Sequence, residues 1–126
     1  MKLGNVMIFG DSYSTYKGCI PDGYAVYYSG QRENPPDVSD AKYTWWGRLL
    51  EATDSELLQN NSWSGSTIGY TGYGNSDCSQ SSSFIYRFKQ LVGSGFFTEN
   101  NIDSVFVFGG TNDSWSDAQG SGLLLS

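Results

Sequence analysis

The chain has 126 residues, enough for one domain and not two. It carries 7 Lys+Arg against 13 Asp+Glu, a formal net charge of -6, and has no basic cluster, which excludes nucleic-acid binding through phosphate neutralisation. With 38% hydrophobic residues, 16% aromatic residues and 16 glycines, the composition is that of a globular protein and not of a disordered one.

Residues 3–9 (LGNVMIF) predict a first strand, stopped by Gly10. Its apolar run, residues 6–9, is far too short for a signal core or a membrane span, so no targeting segment is read and no compartment follows. Residues 19–41 have neither helical nor alternating period and centre on Pro35-Pro36, which predicts a long loop of the kind that serves as a lid or binding loop. Asp40 or Thr44 can cap a helix through Trp45, Trp46, Leu49 and Leu50, whose spacing gathers the apolar groups on one face. Residues 56–59 (ELLQ) suggest a second short strand.

Residues 60–83 read as loop, with Trp63, Tyr70 and Tyr73 as its large anchors. Phe84, Ile85, Phe88, Leu91 and Val92 recur at near-helical spacing, and Gly93 and Gly95 end that helix. Residues 102–108 (IDSVFVF) are the clearest strand. Nothing after Asp117 reads as a further helix, and residues 119–126 (QGSGLLLS) end the chain partway through the architecture. The order β-α-β-α-β predicts an α/β fold with a parallel sheet whose functional loops sit at the carboxyl ends of the strands. Residues 1–126 are read as a single, incomplete domain.

Three polar clusters follow the three predicted strands: Gly10-Asp11-Ser12, then residues 61–67 (NSWSGST), then residues 109–113 (GGTND). A parallel sheet brings all three to one edge. A serine hydroxyl there can attack an ester carbonyl, and the resulting oxyanion needs donors about 3 Å away, from backbone N–H groups or an Asn amide. Ser12, Gly65 and Asn112 suit those roles chemically. Each cluster also has a plain structural reading: a turn with a capping Ser, a loop, and a strand-to-helix turn capped by Asn112 or Asp113.

Residues 9–14 (FGDSYS), the Ser64-Gly65 step and residues 109–113 together resemble the first three sequence blocks of the SGNH (GDSL-type) hydrolases. The resemblance runs from the first strand to Asp113. It implies a flavodoxin-like three-layer α/β/α fold, here truncated after about the third strand, and an esterase, lipase, thioesterase or carbohydrate deacetylase activity. It further implies Ser12 as nucleophile, with the Gly65 backbone N–H and the Asn112 side-chain amide as the oxyanion hole and the Ser12 N–H as a third donor. One landmark is missing. The family's Asp-x-x-His block has no counterpart, because the chain contains no His. Asp11 and Asp113 adjoin the blocks, but an ordinary carboxylate is a poor base for a serine hydroxyl. The expectation is therefore the amino-terminal piece of a hydrolase, inactive or very weak by itself.

Cys19 and Cys78 have no CxxC spacing and no His to complete a zinc site, so they are read as unrelated thiols and no metal or cofactor is expected. Tyr24, Tyr27, Tyr28, Trp63, Tyr70 and Tyr73 are placed either around the Ser12 mouth, where aromatic faces suit an acylated carbohydrate, or as anchors for loops short of other apolar groups. Trp45 and Trp46 read as core. Two alternatives to the hydrolase are a catalytically inactive glycan-binding domain on the same scaffold and a flavin- or phosphate-binding module using residues 12–15 (SYST), which lack the glycines and lysine of a Walker loop. The third strand is apolar, with no Pro or Lys, and its open edge predicts pairing with another copy or with the rest of a hydrolase, the tail at Leu123 to Leu125 helping to cover the exposed face.

Overall fold

The computed structural model describes residues 2–33 and 37–116. Pro35, Pro36 and the tail from residue 117 onward, with its expected role of covering the sheet, lie outside the described residues. The chain divides into two compact units, Met1–Ser64 with Ile102–Phe108, and Gly65–Asn101 with Gly109–Ser126.

The first unit holds a parallel sheet of β1 (Asn5–Gly10), β2 (Glu56–Ser62) and β3 (Ser104–Phe108) in the order β2-β1-β3. This is the flavodoxin-like α/β arrangement expected from the sequence. The central strand is the most apolar because both its faces are covered: Val6, Met7, Ile8 and Phe9 are all buried. Val6 and Ile8, two apart and so on one face, pack with Trp46 of helix α1 (Trp45–Thr53). Full burial of such a side chain is worth about 1.5–3 kcal/mol. Both predicted caps are used. Thr44 accepts from Gly47 N–H at 3.0 Å to start α1, while Asp40 accepts from Lys42 N–H at 3.0 Å to start a 3-10 turn at Ala41–Tyr43. Trp46 is buried as expected of core; Trp45 is only partly buried and stacks on Phe108 at 5.5 Å.

The register fixes where the strands end. Gly10 pairs with Ser62 on one side and with Phe108 on the other, so the three strands finish at the same level. Strand β2 runs three residues beyond the expected end at Gln59. Apolar patterning stops there, yet Asn60, Asn61 and Ser62 pair with Ile8, Phe9 and Gly10 and are buried. Burial of those polar groups is tolerated because each is hydrogen-bonded: Asn60 Nδ2 donates to Ser14 O at 2.7 Å, Asn61 Nδ2 to Gln59 Oε1 at 3.1 Å, and Ser62 Oγ to Asn60 Oδ1 at 2.5 Å.

The second unit holds α2 (Phe84–Gly93), α3 (Phe96–Glu99) and α4 (Thr111–Trp115). Ser83 caps α2 by accepting from Tyr86 N–H at 3.1 Å. Sequence reading missed α3 and gave α4 only as a strand-to-helix turn capped by Asn112 or Asp113, whereas the cap is Gly110 and both residues lie inside the helix. One turn past Gly95 is too brief to show a period, and α4 starts from Gly110 on Thr-Asn-Asp, residues that read as turn. The apolar stripe of α2 is only partly inside: Phe84 is buried, whereas Phe88 lies against Phe97 at 5.2 Å and Val92 is exposed.

Candidate functional site

The first candidate cluster is a single 3-10 turn, Ser12–Ser14, set on the end of β1. Gly10 is required there by close approach, since a Cβ would collide with the Ser14 side chain. Asp11, buried, caps the turn by accepting from Tyr13 N–H at 3.3 Å. Ser14 is the anchor. Its carbonyl accepts from Trp46 Nε1 at 2.8 Å and Asn60 Nδ2 at 2.7 Å, and its hydroxyl accepts from Trp45 Nε1 at 2.9 Å. The turn carrying Ser12 is thus tied to α1 and β2, while Ser12 itself is only partly buried.

Because β2 ends level with β1, the chain beyond it runs past this turn. Trp63 N–H donates to Gly10 O at 3.1 Å, and the hydroxyls of Ser12 and Ser64 share a hydrogen bond at 3.0 Å. A second hydroxyl is not a base at neutral pH, so this contact orients the Ser12 oxygen without ionising it.

The long loop is fastened to the same turn. Thr15 Oγ1 donates to Ser12 O at 2.8 Å and accepts from Tyr27 N–H at 2.8 Å, and Ser64 N–H donates to Ala25 O at 2.8 Å. Tyr24 then lies on Trp63, ring centroids 4.4 Å apart, and Tyr27 meets Tyr13 edge-on at 6.1 Å. Farther along, the Asp37 carboxylate accepts from the N–H groups of Ser29, Gln31, Arg32 and Val38 and from the Ser29 hydroxyl. Partial desolvation pushes its pKa up, but the Arg32, Ser29 and Val38 bonds outweigh that and hold it well below the usual carboxylate range. Cys19 lines a separate cavity of about 340 Å³ with Pro21 and residues 57–60, which contains none of the expected site residues. Burial, then the Asp40 carboxylate, push its thiol pKa up, so it is not an activated thiolate; both cysteines are free. Among the described residues no cluster of three or more His, Cys, Asp or Glu side chains stands together to hold a metal, and no helix is long and apolar enough to cross a membrane.

Ser12 lies in the first unit, and Gly65 and Asn112 in the second. Gly65 has φ +81°, a left-handed backbone that favours glycine even though a Cβ there would meet nothing. Asn112 is held on both ends: Nδ2 donates to Ser66 O at 2.8 Å, and Oδ1 accepts from Tyr73 OH at 2.5 Å. Since a carbonyl can only accept, the Ser66 contact identifies the amide nitrogen, whose second hydrogen is not spent on that bond. Asp113 grips the neighbouring loop, accepting from Ile68 N–H at 2.9 Å and Gly69 N–H at 3.1 Å. Arg87 is buried, with Nη2 donating to Ser66 Oγ at 3.0 Å and Nε to Ser82 O at 2.8 Å. Sequence reading named Ser64 only as part of the Ser64-Gly65 step, Tyr73 only as a loop anchor or a ring near Ser12, and Asp113 only as a cap or a neighbour of Asn112; it gave none of them these partners and missed Arg87 altogether. Pairings between residues so far apart in the chain, 52 apart for Ser64 and Ser12 and 39 for Tyr73 and Asn112, leave no local period to find them by.

The sequence model of the family described as GDSL-like lipase/acylhydrolase matches residues 4–122. The solved structure of a protein described as a GDSL-like lipase from Bacteroides ovatus is 38% identical to this chain, with a TM-score of 0.77 over 90% of this chain and 51% of that one. One from Bacteroides uniformis, so described as well, is 38% identical, with a TM-score of 0.76 over 91% of this chain and 51% of that one. The chain therefore spans about half the length of these two relatives. No curated protein matches it. With nearly its whole length matched, and with its sheet order and its glycine-aspartate-serine turn in keeping, the chain belongs to the GDSL-like lipase/acylhydrolase family.

Proposed function

We propose that the chain is one incomplete hydrolase domain, residues 1–126, whose Ser12 is the nucleophile for carboxylic esters with small acyl groups, carbohydrate acetates included. Ser12 Oγ adds to the ester carbonyl carbon, and the carbonyl electron pair moves to oxygen. The family resemblance assigns the oxyanion to the N–H groups of Ser12 and Gly65 and the Nδ2 amide of Asn112. Collapse breaks the bond to the alcohol, which leaves with the proton that Ser12 lost, and water then releases the acid by the same steps in reverse order. No cofactor enters. The proton needs a carrier, and as the chain has no His, the proposal assigns the general base to a segment or partner outside these 126 residues. The observation that carries the reading is the register of Gly10 with Ser62 and Phe108, which ends all three block-bearing strands at one level.

Without a base, deacylation is slowed along with acylation, so an activated ester should leave its acyl group on the enzyme. Incubation with nitrophenyl acetate followed by peptide mass spectrometry tests this. Acetyl on Ser12, absent in Ser12→Ala and diminished in Asn112→Ala, is the expected result. Acetylation elsewhere only, or acetylation of Ser12 that Asn112→Ala leaves unaltered, overturns it. The absence of His also favours a second reading, a catalytically silent glycan-binding domain on the same scaffold. Glycan binding with no acetyl transfer, even in a longer chain carrying an Asp-x-x-His block, would select that one.

A further inference from the structure

We infer that Tyr73 is a positioning residue for the Asn112 amide, fixing its rotation and strengthening its Nδ2 hydrogens as donors, an inference that rests on the oxyanion reading of Asn112 above. Nothing local in the sequence ties Tyr73 to a residue 39 positions on, and the fold supplies the tie: its hydroxyl donates to Asn112 Oδ1 at 2.5 Å. Both residues belong to the second unit. The Tyr73 side is 46% exposed, whereas Asn112 is buried. A half-exposed ring gains little from packing, so the hydroxyl contact with a buried partner is what gives Tyr73 its place. The loop that carries it is ordered. Thr71 and Asp77 form an antiparallel bridge, Gly72 N–H donates to Ser76 O at 2.8 Å and Cys78 N–H to Tyr70 O at 2.6 Å, and Tyr73–Asn75 forms a 3-10 turn between them.

Two contacts define the amide. Ser66 O can only accept, so Nδ2 faces it, and the hydroxyl of the same serine is held by Arg87 Nη2 at 3.0 Å. With Nδ2 on that side, Oδ1 meets the Tyr73 hydroxyl. Turning the amide over would set Oδ1 against Ser66 O, acceptor against acceptor, and smaller rotations stretch both bonds. The Nδ2 hydrogen not spent on Ser66 therefore keeps one direction. Tyr73 also acts through the amide itself. A donor at Oδ1 draws electron density from nitrogen to oxygen and makes Nδ2–H a stronger donor. When an oxyanion accepts from Nδ2, the added charge is passed on to Oδ1 and the Tyr73 bond tightens. The gain is larger in the transition state than in the bound ester, so it belongs to the rate and not to binding.

The rate of Ser12 acetylation by nitrophenyl acetate, followed by mass spectrometry across ester concentrations, tests the inference. Tyr73→Phe keeps the ring and removes the donor. It should lower the limiting rate by about fivefold to tenfold, the effect of one modest hydrogen bond, and leave the half-saturating ester concentration unaltered. In the Asn112→Ala background the same substitution should have no further effect, because the group it acts through is gone. In an NMR spectrum of the nitrogen-labelled chain, the Asn112 side-chain amide signals should move and exchange faster in Tyr73→Phe, while those of Asn60 and Asn61 stay. Equal losses from Tyr73→Phe with and without Asn112, or unmoved Asn112 amide signals, overturn the inference. Acetylation that Asn112→Ala leaves unaltered overturns the oxyanion reading and this inference with it. Acetylation diminished by Asn112→Ala but not by Tyr73→Phe overturns this inference alone.

Discussion

Ser12 and Ser64 face each other with their hydroxyl oxygens 3.0 Å apart, although 52 residues separate them in the chain. Strand register brings them together, and the contact gives the candidate nucleophile an orienting partner that is not a base. Ser64 is thus a positioning residue in the proposed reaction. Ser64→Ala should lower the rate of Ser12 acetylation by nitrophenyl acetate by roughly tenfold, the loss expected of one modest hydrogen bond of about 1 kcal/mol or slightly more. Ser64→Thr, which keeps a hydroxyl, should recover most of the rate. Equal rates in the parent and Ser64→Ala would show that the contact has no part in the chemistry.

A nucleophile without its base loses nearly everything the pair supplies together. Steady-state hydrolysis of a short-chain nitrophenyl ester by the 126-residue chain should therefore fall several orders of magnitude below that of a complete family member. Robust, Ser12-dependent turnover by this chain would place a base inside it.

Asp113 accepts from Ile68 N–H and Gly69 N–H, so its role is to hold the loop that follows Gly65. Asp113→Ala leaves two amides without their partner and should cost about 1–3 kcal/mol. Hydrogen exchange at Ile68 and Gly69 should rise in that variant by more than it rises in β1. Unchanged protection at those two amides would contradict the assignment.

Asp37 should make the stability of the first unit depend on acid. Its folded-state pKa lies below its unfolded value near 4, so the stabilisation is complete above about pH 4 and is lost as the pH falls through the folded pKa. Asp37→Asn should flatten the acid limb of a urea-midpoint-against-pH curve and leave its slope above pH 5 unaltered. A parallel curve for the variant would sink this account.

Among the described residues β3 pairs with β1 alone, and Val105 and Val107 are 49% and 63% exposed on it. An open apolar edge without Pro or Lys invites another strand. The chain should associate with itself at tens of micromolar, or with the remaining part of a hydrolase when that is supplied, and Val105→Lys with Val107→Lys should shift it toward monomer in size-exclusion chromatography with light scattering. A monodisperse monomer of the parent chain at that concentration would refute it.

The sequence by itself determined the features that depend on local order. An apolar run stopped by Gly10 makes a strand, Thr44 before two tryptophans makes a capped helix, and residues 109–113 follow a strand rich in Val and Phe; together these were enough to read a parallel α/β sheet and the family's blocks. Tertiary structure decided the rest. Asn60, Asn61 and Ser62 are strand because Ile8, Phe9 and Gly10 lie beside them and because buried hydrogen bonds offset the cost of their polarity. Ser64 reaches Ser12, Tyr73 reaches Asn112 and Asp113 reaches Ile68 only once the chain has folded back on itself. Periodicity records which face of an element is buried; it holds no trace of which distant polar group a side chain will meet there.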